Sequence, residues 1–89
     1  MSDFRRSLIL GQALATYGIH AQEDVAIEEM SELTKALLKR RRGEDNAEDV
    51  LSEIADVQIM LDQMRMLYGH TQDYEQAKIE RLAGRLGME

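Results

Sequence analysis

The sequence predicts an all-α fold: a short antiparallel bundle of about four helices per chain, completed by oligomerisation. Three observations lead there. Helix-favouring Ala, Leu, Glu, Arg and Met are plentiful and proline is absent. Gly18, Gly43 and Gly69 punctuate the chain at helix-length intervals, each where a helix C-terminal glycine belongs. No stretch shows the two-residue alternation of a strand, and there is no internal repeat.

The elements follow in order. Ser2 is an N-cap for a first helix from about Asp3 to Tyr17, with Asp3 at the positive end of the helix dipole. A second helix is expected from about Ala21 to Arg42; its last turn carries Lys39, Arg40, Arg41 and Arg42, which suit a negative helix end. Asn46 is the expected N-cap of a third helix that ends near Tyr68, with Glu48 and Asp49 in its first turn. Thr71 is the expected cap of a fourth, from about Gln72 to Leu86. Short connections make sequential helices antiparallel neighbours, and residues 1–89 read as one domain.

The third helix decides the assembly. Val50, Ile54, Val57, Leu61, Met64 and Tyr68 form one apolar stripe; Leu51, Ala55, Ile59 and Met66 form another, rotated by roughly a third of a turn or more. A helix apolar on two sides is buried on two sides, and one chain of 89 residues has too few partners to cover both. A homodimer or homotetramer is expected, with this helix near its centre. The six methionines read as core filler.

Composition excludes several function classes. The net charge of −6 opposes a nucleic-acid surface, which needs a basic footprint, and the Arg40–Arg42 run is read as a helix-end feature. The chain has no cysteine, so disulfides and thiolate metal sites are out. No apolar run reaches the roughly 18–20 residues of a membrane span. Leu8 to Ala15 is interrupted by Gly11 and Gln12 and reads as helix rather than secretory leader, so a cytoplasmic protein is expected.

The anomaly is where the acids fall. At 100° per residue, Glu53 lies between Met60 and Met64 and Asp56 lies beside Leu67, along the edge of the apolar stripe. On the second helix Glu29 and Glu32 have the same one-turn spacing and share azimuths with Val25 and Ala36, while Glu28 points further out. Two antiparallel helices, each with an inward pair of acids, make a four-carboxylate cluster whose charges repel. A hard divalent cation with oxygen ligands, Mg²⁺ above all and Mn²⁺ in its place, resolves that conflict and also holds phosphate. A di-iron centre would want Glu-x-x-His pairs, and neither His20 nor His70 lies three residues after a Glu. The ordinary alternative is a solvated face in which Glu32 pairs with Lys35, worth about 0.2–0.5 kcal/mol.

The acid pairs read Glu28-Glu29-x-x-Glu32 and Glu53-x-x-Asp56, separated by Leu33 to Ser52. In that order, on adjacent helices of a small acidic chain, they resemble the MazG-like family of all-α nucleoside triphosphate pyrophosphohydrolases. The resemblance covers roughly residues 22–86. It implies a helical dimer or tetramer and Mg²⁺-dependent cleavage of an NTP or dNTP between the α and β phosphates, giving a nucleoside monophosphate and pyrophosphate. By motif it makes Glu29, Glu32, Glu53 and Asp56 the metal ligands, and gives Glu28 an outer-shell role or one in positioning the attacking water. The chemistry is consistent: phosphoryl transfer needs charge neutralisation and in-line positioning more than a covalent nucleophile.

On the fourth helix Lys78, Arg81 and Arg85 share a face with Tyr74, opposite Ile79, Leu82 and Leu86. Facing the acids, that stripe would grip the triphosphate. It departs from the family pattern in having no asparagine there, and the alternative is a solvated face paired with Glu75 or Glu80. Two other readings of the whole remain open: a phosphoribosyl-ATP pyrophosphohydrolase on the same fold, and a non-catalytic helical oligomerisation or partner-binding module.

Overall fold

The computed structural model describes residues 2–88, and these form four helices: α1 (Asp3–Tyr17), α2 (Ile19–Arg41), α3 (Ala47–Tyr68) and α4 (Gln72–Arg85). The all-α expectation holds. Ser2 caps α1, its Oγ accepting from the Arg5 amide at 3.1 Å. Gly18, at φ +95°, is the whole connection between α1 and α2: its N–H closes α1 on Leu14 O, and its carbonyl accepts from the Gln22 amide. One glycine thus ends one helix and opens the next, which is why α2 begins at Ile19 rather than near Ala21. At the far end of α2 the turn is a Schellman motif, with Gly43 at φ +101°, its amide bonded to Arg40 O and the Glu44 amide bonded to Lys39 O.

Two expected caps are used differently. Asn46 precedes α3 but makes no side-chain cap; its Nδ2 donates instead to Ala36 O in α2 at 3.0 Å, and the residue is buried. Thr71 makes no side-chain cap for α4 either; its hydroxyl accepts from Arg65 Nε at 2.9 Å and donates to Glu75. In both places a tertiary partner outcompetes the local amide.

α2 and α3 form the main antiparallel pair, since Asn46 meets Ala36 at one end and the Tyr68 hydroxyl donates to Glu23 at the other. α1 leans on both, and α4 packs against no other helix. Buried apolar residues are Leu10, Ala26, Ala36 and Met60; Gln22, Asn46 and Gln63 are buried polar ones. The deepest line of α3 runs through Met60 and Gln63 rather than through the Val50–Tyr68 stripe, of which Ile54 and Tyr68 are exposed. The second stripe faces outward, with Leu51, Ala55, Ile59 and Met66 exposed.

This is an open arrangement. The radius of gyration is 16.1 Å, against about 12 Å for a compact domain of this length. The accessible surface is 7209 Å² for a 10.2 kDa chain, about 1,900 Å² more than the roughly 5,300 Å² of a typical folded monomer of that mass. No helix is long and apolar enough to cross a membrane.

α1 is held by charge as well as by Leu10. Both oxygens of Asp62 are engaged, Oδ2 by Arg6 at 2.5 Å and Oδ1 by Arg65 at 2.9 Å. The Arg6 guanidinium holds the Asp62 carboxyl below the ordinary 3.8, against the opposing effect of partial burial. A depressed carboxyl stabilises the fold above 3.8 and loses that effect as pH falls through its native value. Asp62→Asn should therefore lower stability by roughly 1 kcal/mol near neutrality, with the difference shrinking as pH falls below 3.8, as read by urea unfolding.

Candidate metal centre

The site lies between α2 and α3, where the antiparallel pairing brings the middle of one helix level with the first half of the other. Glu29 of α2 and Glu53 and Asp56 of α3 each offer a carboxylate oxygen, and these three oxygens lie within 4.8 Å of one another. Glu29 and Glu53 are half-buried. Among the described residues none of the three makes an ion pair with a lysine or arginine. Glu53 Oε2 is buried and has no hydrogen-bond partner, which is costly for a carboxylate oxygen shielded from water.

The electrostatics agree with the geometry. The Glu29 carboxyl is pushed above its ordinary 4.5, first by burial, then by the negative charge of Asp56 and a hydrogen bond to it, and further by Glu53 and Glu32. Protein cations neutralise other acids of this chain, yet among the described residues none comes within ion-pair distance of Glu29, Glu53 or Asp56. The donor set is three hard oxygens, with spare lone pairs and uncompensated charge, which suits a small divalent cation.

Each site residue named from the sequence has a definite place. Glu29, Glu53 and Asp56 converge. Glu32 does not join that set: its carboxylate turns to Lys35 Nζ at 3.4 Å, the ordinary surface pairing, with both side chains at least half exposed. Glu28 is exposed beside Glu29. Lys78 and Arg81 line an open groove of about 450 Å³ with Asp73, Tyr74 and Ala77, all of them residues of α4. Arg85 is exposed in the last turn of that helix. None of the three basic residues pairs with Glu75 or Glu80; Glu75 accepts from Thr71 and Glu80 from Gln76. The stripe does not face the acids of its own chain, because α4 packs on neither α2 nor α3.

Sequence reasoning missed the residues next to the cluster. A cavity of about 110 Å³ lies between α2 and α3, lined by Glu32, Lys35, Lys39, Asn46, Asp49 and Glu53. The signal was present in the one-turn spacing of Lys35 and Lys39 on the side of Glu32 and Ala36. Asn46 was read only for its local capping preference.

Two predictions follow from the crowded charge. In EDTA near neutral pH, Glu53→Gln should be more stable than the wild type by about 1 kcal/mol. Mg²⁺ at a hundredfold excess over its dissociation constant should stabilise the wild type by about 2.7 kcal/mol and leave Glu53→Gln unmoved, as read by scanning calorimetry. The raised Glu29 carboxyl means that the folded chain favours its protonated form. Its contribution is fully present below 4.5 and is lost as pH rises through the raised native value. In EDTA the wild type should therefore lose stability relative to Glu29→Gln as pH rises from below 4.5 towards neutrality, and a pH series of melting curves checks the sign.

No protein-family model matches the chain, and no curated protein and no solved structure matches it.

Proposed function

We propose that the protein is a Mg²⁺-dependent nucleoside triphosphate pyrophosphohydrolase, cleaving an NTP or dNTP between the α and β phosphates to a nucleoside monophosphate and pyrophosphate. The observation that carries this is the convergence of Glu29, Glu53 and Asp56 from two facing helices with no ion pair to a lysine or arginine among the described residues. The same residues stand in the Glu-Glu-x-x-Glu and Glu-x-x-Asp pattern that resembles the MazG-like family.

Glu29, Glu53 and Asp56 would hold the ion. Glu32 is the fourth acid of the pattern; its exposed pair with Lys35, worth about 0.5 kcal/mol, is weak enough to exchange for a cation. Bound Mg²⁺, or Mn²⁺ in its place, would neutralise the phosphate oxygens and acidify a water. The chain's own part is geometric: α2 and α3 set the acids at fixed separation, and exposed Glu28 stands beside Glu29 to accept a proton from the attacking water. Lys78, Arg81 and Arg85 supply the positive charge for the phosphates. The surface in excess of a compact monomer supports a homodimer or homotetramer built on the outer stripe of α3. A cytoplasmic nucleotide pool is the natural source of substrate.

The exposed apolar outer side of α3 also favours a second reading, a helical partner-binding module without catalysis. Phosphoribosyl-ATP is a narrower substrate for the first reading, compatible with the same acids.

Incubation with each common NTP, dNTP and phosphoribosyl-ATP, with Mg²⁺ and with EDTA, followed by ³¹P NMR, separates these. The expected result is metal-dependent release of pyrophosphate, reduced at least about 100-fold in Glu53→Gln and Asp56→Asn. Absence of turnover together with absence of Mg²⁺ binding would leave the binding module.

A further inference from the structure

We infer that the cavity between α1, α3 and the turn after α3 is an anion site that takes a phosphate group, held by Arg6, Ser7, Arg65 and His70. The inference is independent of the catalytic reading, because this cavity shares no residue with the acid cluster.

The charge comes first. Arg6, Ser7 and Leu10 enter the cavity from α1, Asp62, Arg65 and Met66 enter it from α3, and His70 enters from the turn that follows. Asp62 is the one acid among these lining residues. Two guanidiniums against one carboxylate leave a formal local charge of +1 with His70 neutral, in a chain whose net charge is −6. A locally positive pocket on an acidic molecule concentrates small anions. The volume is about 220 Å³, the space of about seven water molecules at roughly 30 Å³ each. That holds a tetrahedral oxyanion with part of its hydration shell.

The donors are fixed in place and incompletely used. Arg6 gives Nε and Nη2 to Asp62 Oδ2, and its Nη1 has no partner among the described residues. Arg65 gives Nε to Thr71 and Nη1 to Asp62 Oδ1, and its Nη2 has no partner among them either. The Ser7 hydroxyl and the His70 ring likewise make no hydrogen bond there. Asp62 acts as a positioning residue, since each of its oxygens clamps one guanidinium and both planar forks are oriented before an anion arrives.

The donor set suits phosphate. Arginine meets phosphate oxygens with paired N–H groups, and a hydroxyl and an imidazole add donors from other segments. Donors on three separate segments serve the corners of a tetrahedral oxyanion better than the single plane of a carboxylate. Leu10 is buried and lines the cavity with Met66, and an apolar wall strengthens the electrostatic contacts beside it. Bound phosphate would bridge α1 to α3 and so fasten a helix that one ion-paired aspartate and Leu10 hold in place.

Calorimetric titration of the full chain with inorganic phosphate, in EDTA and at constant ionic strength in chloride, tests the inference. Saturable binding of a single phosphate per chain is expected, and Glu53→Gln should bind as the wild type does. Arg6→Gln would also loosen α1, so the main variant is Ser7→Ala/His70→Gln, which breaks no hydrogen bond of the structure. It should bind phosphate about tenfold more weakly while its phosphate-free melting temperature stays at the wild-type value. Asp62→Asn removes the competing carboxylate and should bind phosphate more tightly, although its fold is weaker. A parallel titration with AMP separates two sources of the same chemistry: equal affinities assign the free ion, and much tighter AMP assigns the phosphate of a nucleotide. Absence of saturable binding overturns the inference, as does binding that Ser7→Ala/His70→Gln leaves intact or that Asp62→Asn fails to tighten. Binding that needs Mg²⁺ and is lost in Glu53→Gln would place the anion at the acid cluster and overturn it too.

Discussion

The structure depends on one unrelieved electrostatic conflict, three carboxylates brought within 4.8 Å by the pairing of α2 and α3 and, among the described residues, in no ion pair with a lysine or arginine. The same helix shows that the fold can relieve such a conflict. Asp62, less than two turns beyond Asp56, is held by two arginines and its carboxyl is driven down. At Glu29 the carboxyl is driven up. The two groups lie on facing helices: arginines lower the one, while burial first and then repulsion from Asp56 raise the other, and a group left to repel its neighbours is a functional candidate with a physical rationale.

The thin core fits with this. Small residues let the two long helices approach, as Ala26 and Ala36 do from α2, while polar Gln22, Asn46 and Gln63 take places that a compact core gives to leucine. A single chain therefore holds its acids in position without closing a hydrophobic interior. α3 has two tasks on two sides: acids and Met60 towards α2, and Leu51, Ile59 and Met66 outward. Under the proposed function assembly and chemistry would be coupled, because the element that would carry ligands to an ion also carries the exposed apolar side that a second copy would cover.

Much of this was legible from residue order. Gly18, Gly43 and Gly69 all have positive φ and all end helices, because only glycine takes that conformation without strain. Azimuth placed Glu53 and Asp56 inside, since period and handedness fix direction once a helix is granted. Glu32 misled because its azimuth lies at the rim of the same arc, where a flexible side chain chooses between the cluster and Lys35; the helix period does not decide that choice. Asn46 and Thr71 misled because capping is a local preference and each met a stronger tertiary partner, Ala36 O and Arg65. The direction of α4 was misread: its short connection predicted an antiparallel neighbour of α3, whereas the helix packs on no other helix of the chain, since loop length limits reach but does not fix direction.

The most direct test of the central claim is the stoichiometry and affinity of Mn²⁺ on the nucleotide-free protein, read by electron paramagnetic resonance in place of Mg²⁺. The account predicts saturable binding, displaced by Mg²⁺ and lost in Glu53→Gln. Equal, weak and non-saturating binding by the two proteins would show that the carboxylates tolerate one another without an ion, and would contradict the account at its base.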